Sequence, residues 1–339
     1  MNVLMIAPPI LKSESDKDSW LTIPSLGYGG IENVVYALIN GLIYHGCQVT
    51  LVGAPGSISF NGLTLIRDVR GSVDISSWIE NNHNNFDIIH DHSCGLVFNA
   101  QQEKLSFNYI ATHHKTGKSP YPENTVYLSY AQRSQAGGNN SPVIRIPIIF
   151  ENYLLNSQKD DCFLYVGRVS EWKGVHEAAS ICEKLEAKLI VAGPSWEQDY
   201  FDDLINKYSN TVEYIGEVFG LKKIDLLAKA KAVFVLSRFS DGLWGDKWCE
   251  PGATIVGEAA ASGTPIISST NGCLSEIVVP DVGIQLEENE INQKDISKLQ
   301  FQFPNANTVF SYAKNNWNHL LISEQYLTLY KNIINGFHW

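Results

Sequence analysis

Short apolar runs alternate with longer amphipathic stretches from one end of the chain to the other. In the first half the runs Val3–Ala7, Val49–Val52, Asp87–His90, Tyr109–Thr112, Thr125–Leu128 and Val143–Ile146 read as strands. In the second half Phe163–Val166, Leu189–Ala192, Val212–Ile215, Ala232–Leu236 and Pro265–Ser268 do the same. Between them Gly30–His45, Val175–Leu185 and Lys222–Ala230 carry apolar residues at helical spacing. Strands without internal polar alternation, separated by helices, predict parallel sheets covered on both faces. Eleven strands divide better into two sheets than one. The expected architecture is therefore α/β, with two Rossmann-like, doubly wound domains whose sheets face each other across a deep cleft. The polar stretch after Pro147 sets the expected boundary, giving residues 1–155 and 156–317. The acid- and Asn-rich Glu287–Lys294 reads as a surface loop. The last helix, about Asn318–Ile334, is rich in Leu, Ile and Tyr and must bury one face.

Charge and cysteine content narrow the function classes. Net charge is −11, with 9 basic and 12 acidic residues before position 155 and 16 and 24 after it. Neither half is basic, which argues against a nucleic-acid partner. The six cysteines form no C-x-x-C pair and read as reduced thiols of a cytoplasmic protein. The N-terminus reads as a buried strand, because its apolar run has no basic segment before it. No apolar run approaches the roughly 20 residues of a membrane span. A peripheral membrane location is left open.

Glu250-Pro251-Gly252-Ala253-Thr254-Ile255-Val256-Gly257-Glu258 is the most informative segment. A Pro-Gly turn opens a helix of small residues, whose start offers free N–H groups and a positive dipole end to an anion such as a diphosphate. The bracketing acids suit sugar hydroxyls. Gly167-Arg168 and Lys173 follow a predicted strand and suit the growing charge of a leaving diphosphate. The turn Gly27-Tyr28-Gly29-Gly30-Ile31-Glu32 opens a helix after the first strand. Its spacing is not G-x-G-x-x-G, and no acid closes the second strand, so a dinucleotide site is not favoured. His90, His92, His113 and His114 end two strands. A zinc site is not expected from them, because His90 and His92 point to opposite faces and no cysteine cluster completes a site. A loop bearing Trp244 and Trp248 leads into Glu250, and Asn271-Gly272 follows the strand Pro265–Ser268. Aromatic faces there suit sugar rings.

In this order the motifs resemble those of the retaining GT-B glycosyltransferases of family four, over essentially the whole chain. The elements are Gly29-Gly30-Ile31-Glu32, Gly167-Arg168 with Lys173-Gly174, the Glu250 and Glu258 pair, and His114 closing a strand. The segments Ala192–Glu197 and Trp248–Thr254 resemble the branch containing the avilamycin-biosynthesis glycosyltransferase. The chain departs from the family pattern at Arg145–Phe150, Pro251-Gly252 and Asn271-Gly272.

The resemblance implies roles. His114, Arg168, Lys173 and Glu250 would be catalytic. Gly29, Gly30, Gly167, Pro251, Gly252, Ala253, Thr254 and Glu258 would bind the donor, as would the backbone of Gly216, Glu217 and Val218. Glu258 would hold the ribose and Glu250 the transferred sugar. Glu32, His90, His92, Trp244, Trp248 and Asn271 would line the sugar or acceptor. The final helix, about 318–339, would cross back to the first domain. The partners implied are a nucleotide sugar, UDP-linked before GDP-linked, and a hydroxyl-bearing glycan, lipid-linked sugar or natural product. No cofactor or metal is implied. Two alternatives stay open: a GT-B epimerase or phosphorylase, and a catalytically silent sugar-nucleotide-binding subunit.

Overall fold

The computed structural model describes residues 1–9, 11–13, 16–67, 69, 71–97, 105–138, 140–238, 247–291 and 301–339. The chain forms two compact units, Met1–Pro147 with Trp317–Trp339, and Ile148–Asn316. The first contains β1 (Asn2–Ile6), β2 (Leu11–Ser13), β3 (Asp16–Trp20), β4 (Gln48–Val52), β5 (Leu63–Ile66), β6 (Ile88–Asp91), β7 (Tyr109–His113) and β8 (Thr125–Tyr127). The second contains β9 (Cys162–Val166), β10 (Lys188–Ala192), β11 (Val212–Tyr214), β12 (Ala232–Val235), β13 (Ile266–Ser268) and β14 (Gly283–Gln285).

Each unit is built on one six-stranded parallel sheet. The orders are β5-β4-β1-β6-β7-β8 and β11-β10-β9-β12-β13-β14. Both sheets reverse direction of winding beside their first strand, at β1/β6 and at β9/β12. In doubly wound sheets this switch point, at the carboxyl ends, is where ligands bind. The two-sheet expectation is thus met. β2 and β3 form a separate antiparallel hairpin.

Strand burial explains the apolar runs. Val3 through Ile6 have no exposed surface, as a central parallel strand with helices on both faces requires. The helix Gly30–Tyr44 buries Val34, Val35, Leu38, Ile39 and Leu42. It ends where Gly46, at φ 84, turns left-handed, with Gly46 N–H donating to Ile43 and Cys47 N–H to Leu42. The final helix, His319–Ile334, is capped by Asn318, whose Oδ1 accepts from the Leu320 N–H. It lays Ile322, Tyr326, Tyr330 and Ile333 into the same core as Leu38 and Leu42. The two helices approach so closely at Gly41 that a Cβ there would stand 2.3 Å from Ser323 Oγ.

Several expectations are corrected. Val143–Ile146 is not a strand; within it only Val143 bridges, to Tyr127, and Pro142 and Pro147 flank it. The boundary falls at 147/148 rather than 155/156, because Phe150 packs edge-on against Phe310 of the second unit. Glu288–Ile291 is a short helix within the expected surface loop, and Ile291 enters the core; residues 292–294 lie outside the described set. β5 and β14 lie at sheet edges and were not legible: β5 is partly exposed, and β14 has only three residues. Among the described residues no helix is long and apolar enough to cross a membrane.

Candidate active site

The strongest cluster lies at the β9/β12 switch point. β9 leads into Gly167-Arg168, and the Gly167 N–H donates to the Ala192 carbonyl at 2.9 Å. Tyr165 OH donates to the Arg168 carbonyl at 2.5 Å. A 3-10 turn, Glu171–Lys173, follows and is anchored by buried Trp172. Gly174 then adopts φ 68 against Leu236, where a Cβ would lie 2.2 Å from the carbonyl oxygen. That close approach, open only to glycine, brings Lys173 to the end of β12.

Lys173 Nζ sits 2.5 Å from Glu250 Oε2. The same oxygen accepts from Ser237 Oγ at 2.5 Å and from Trp248 Nε1 at 3.3 Å. The Trp248 ring lies 4.5 Å from Lys173 Nζ, walling the pair as a cation–π partner. Burial pushes the Glu250 carboxyl up, but the Lys173 charge and the bonds from Lys173, Ser237 and Trp248 outweigh it, and the net is a lowered pKa. Behind the pair, Asn271 Oδ1 accepts the Glu250 N–H at 2.7 Å and its Nδ2 donates to the Trp248 carbonyl at 3.1 Å. Gly272, at φ 55, passes so close that a Cβ would meet Glu250 O at 2.4 Å. Asn271 is therefore fully buried scaffolding and does not line a sugar site. Trp244 lies outside the described residues.

The helix Thr254–Ala261 starts directly after this cluster. Its N-cap is Ala253, so no side chain caps it. Pro251 and Ala253 are buried, while Gly252 and Thr254 are partly accessible. One turn in, Glu258 is buried and ion-paired to Lys223 Nζ at 2.6 Å. The Tyr153 hydroxyl also bonds Glu258, and burial together with that carboxylate raises its pKa well above normal. Arg168 adjoins this cluster through Trp172: its guanidinium is 3.6 Å from the Trp196 ring centroid and 5.8 Å from that of Trp172, and the Trp172 ring is 6.3 Å from that of Trp248. Gly216, Glu217 and Val218 follow β11, and the Gly216 carbonyl accepts from the Gly193 N–H at 3.0 Å.

The first unit gathers the histidines at its own switch point. His90 is fully buried. Its Nδ1 bonds Tyr330 OH at 2.6 Å and its Nε2 bonds Thr112 Oγ1 at 2.8 Å. Thr112 Oγ1 in turn bonds Tyr326 OH at 2.9 Å. His90 thus ties the sheet to the final helix rather than lining a sugar. His92 is also fully buried, and, contrary to the expectation of opposite faces, its ring lies on the same side as that of His90, 4.2 Å away between centroids, because residues two apart in a strand share a face; its Nδ1 lies 2.8 Å from Nε2 of half-buried His114. His113 is buried against Tyr127, and burial lowers its pKa to about 4. Asp91 accepts from Ser93 and from Tyr121 OH and so closes the turn after β6. Among the described residues no group of His, Cys, Asp and Glu is arranged to hold a metal ion.

Glu32 opens the helix Gly30–Tyr44 but is 2% exposed, so it is a buried group beside Gly29, not a surface ligand. A Cβ on Gly29 would strike Ser25 Oγ at 2.4 Å, which explains that glycine; Gly30 is the first helical residue. Burial raises the Glu32 carboxyl to about 7 against one bond from its own N–H, and its Oε1 has no partner among the described residues. The folded pKa exceeds the unfolded 4.5, so stability is fully present below that value and is lost as pH rises towards about 7. The loss is about 3 kcal/mol. Glu32→Gln is expected to match the parent at pH 4.5 and exceed its stability at pH 8, read by urea unfolding. An equal difference at both pH values would contradict this.

Sequence reasoning missed Ser237, Lys223, Tyr153, Asp91 and the Tyr326/Tyr330 pair. Only the Tyr spacing in the last helix carried a signal. Apart from Asp91 with Ser93, the other contacts join residues 13 or more positions apart.

Two nucleotide-type sheets, a cation–carboxylate pair at one switch point and an uncapped helix start beside it define a GT-B arrangement of the glycosyltransferase kind. The chain belongs to the glycosyltransferase group 1 family, whose model matches residues 149–300. It is 38% identical to AviGT4, a glycosyltransferase of avilamycin A biosynthesis, with a TM-score of 0.90 and coverage of 100% of this chain and 99% of that one. A glycogen synthase of Mycobacterium tuberculosis is 31% identical over 123 residues, which is 34% of this chain but only 27% of that relative. Anabaena HepE, solved with UDP, shares the fold at 16% identity and a TM-score of 0.67, covering 98% and 100% of the two chains. The avilamycin-branch resemblance is thereby borne out.

Proposed function

We propose that the chain transfers a hexose from a nucleotide diphosphate sugar to an acceptor hydroxyl with retention of anomeric configuration. The observation that carries this reading is the Lys173–Glu250 pair beside the uncapped start of the helix Thr254–Ala261. A diphosphate at that helix start meets N–H groups and a dipole end, with the Lys173 charge next to it. Glu250, ionised and half engaged, accepts from hydroxyls of the sugar. In the step itself the C1–O bond to phosphate breaks and its electron pair leaves with the diphosphate. The acceptor oxygen bonds C1 on the same face, and its proton passes to a phosphate oxygen. Fixed cations, Lys173 and Arg168, supply the charge stabilisation without an essential metal. The acceptor class stays a glycan, lipid-linked sugar or natural product, and the compartment the cytoplasm or the membrane surface.

Glu258 holds the ribose in this reading, and Lys223 and Tyr153 orient its carboxylate. Lys223→Met is expected to weaken UDP binding roughly tenfold, a loss of about 1.4 kcal/mol, measured by titration calorimetry. Affinity equal to the parent would remove Glu258 from the ribose site. UDP-linked donors are placed before GDP-linked ones in this reading; proteins of the same fold were solved with UDP and with ADP, so the base is left to experiment. The deciding experiment is a thermal-shift and turnover panel of UDP-, GDP-, ADP- and dTDP-sugars. A ligand at 100 times its Kd adds about 2.7 kcal/mol of stability, and the product anomer reports retention. If no nucleotide sugar raises the melting temperature or is consumed, the reading fails.

A further inference from the structure

We infer that Trp196 is a positioning residue of the proposed transfer: its indole face holds the Arg168 guanidinium ready for the diphosphate. This role rests on the diphosphate part of the proposed function.

Trp196 is 59% exposed, although tryptophan is highly buried on average. Its ring carries a cation instead of filling a core. The Arg168 guanidinium carbon stands over the indole, 3.6 Å from its centroid. A guanidinium tipped on edge at that distance would drive a nitrogen into the ring, so the group lies flat on it. The N–H donors of a guanidinium lie in its own plane, so they point past the ring and the platform uses none of them. The ring attracts the charge without neutralising it. A carboxylate in the same place would take two donors in a fork and cancel the charge. Lys173, ion-paired to Glu250, shows that neutralising arrangement.

The backbone fixes the stack. β9 and β10 run parallel with Val166 opposite Ala192, and the pairing continues past both strand ends. The Val169 N–H donates to the Pro194 carbonyl at 2.9 Å, and Val169 bridges Ser195. Two residues on, the Glu171 N–H reaches Glu197 Oε2 at 3.2 Å. Arg168 and Trp196 therefore sit on two loops that are joined beside the stack. The second indole, of buried Trp172, lies 5.8 Å from the same guanidinium. Arginine is rich in rotamers, and ordering it in advance removes a cost otherwise met on binding.

The stack is first read without ligand. In ¹H–¹⁵N spectra of the full chain, protons over an indole face move upfield in its ring current. The Arg168 Nε–H, assigned with Arg168→Ala, should lie upfield of the other arginines and lose that shift in Trp196→Leu. An unshifted signal in the parent overturns the inference. The role is then read by a double-mutant cycle on nucleotide affinity. UDP, GDP, ADP and dTDP are titrated calorimetrically into the parent, and the tightest is followed through the variants. Trp196→Leu should weaken it about tenfold, the loss of one partly desolvated cation–π contact. Trp196→Phe keeps a ring and should recover most of that loss. In the Arg168→Ala background Trp196→Leu should add nothing, because both changes break one interaction. Additive losses would make Trp196 a ligand contact or a loop support and overturn the role, as would equal losses in the Leu and Phe variants. Parent-like affinity in Arg168→Ala would remove the diphosphate reading itself and the role with it. An impaired Arg168→Ala with additive losses removes the role alone, so the two failures are distinguishable.

Discussion

Lys173→Ala is expected to lower transfer by about 10²–10³-fold, the usual cost of removing one preorganised donor from developing charge. It should also destabilise the second unit. Glu250 keeps Ser237 and Trp248 but loses the cation that opposes its burial. Breaking a buried pair from one side costs about 3–5 kcal/mol; Lys173 retains 22% side-chain exposure, so about 2–3 kcal/mol is expected. The two effects separate by pH. In the parent, Glu250 is depressed, so its stabilising contribution is present above the unfolded pKa of 4.5 and lost as pH falls through the folded value. In the variant burial dominates, the folded pKa rises, and stability is lost as pH rises. The stability gap should therefore widen from pH 4 to pH 7, while the kinetic gap persists throughout. Adding Glu250→Gln removes the stranded charge and should restore most of the stability but none of the turnover. Urea midpoints and initial rates on the three proteins decide the matter. Full activity in Lys173→Ala would dismiss the cation from the chemistry.

Gly193→Ala is expected to be the most disruptive single-methyl change in the second unit. The residue has φ 142, and an added Cβ would stand 1.9 Å from the Gly167 carbonyl oxygen and 2.7 Å from its carbon. Both obstacles are backbone, so no rotamer change relieves them. The strand-end loop must move, and with it the Gly167–Lys173 segment. Strain of this kind plus the left-handed backbone amounts to about 2–5 kcal/mol. A comparable methyl at Gly216, which meets nothing within 4 Å, suffers only its φ of 72 and should cost about 1–2 kcal/mol. Thermal midpoints of the two variants test the contrast. Gly193→Ala should also bind UDP poorly, since its clash is passed to the Arg168 turn. Equal midpoints would mean that the loops are not packed as described.

Much of this was legible from residues near one another in sequence. Gly29-Gly30, Gly167-Arg168, Lys173-Gly174 and Glu250–Glu258 all announce strand-to-helix turns, and such turns are set by local backbone requirements. Asn271 and His90 show where that reading stops. Both sit at strand ends in polar motifs and look like ligand contacts. In the folded chain each is buried with its polar atoms spent on scaffolding, Asn271 under Trp248 and Glu250, and His90 under the final helix. A polar residue at a strand end can face a ligand or a neighbouring element, and period-two alternation does not tell these apart.

The two α/β units, the glycine turns and the helix start after Glu250 follow from local patterns, because each depends on residues within a few positions. Which charges meet depends instead on how distant elements pack. Lys173 and Glu250 are 77 positions apart and become partners because β9 and β12 are adjacent at the switch point. His90 meets Tyr330 across 240 positions because the final helix returns to the first sheet. Ion pairs and hydrogen bonds reach only a few ångströms, so their membership is set by strand order and helix packing, which no local pattern encodes.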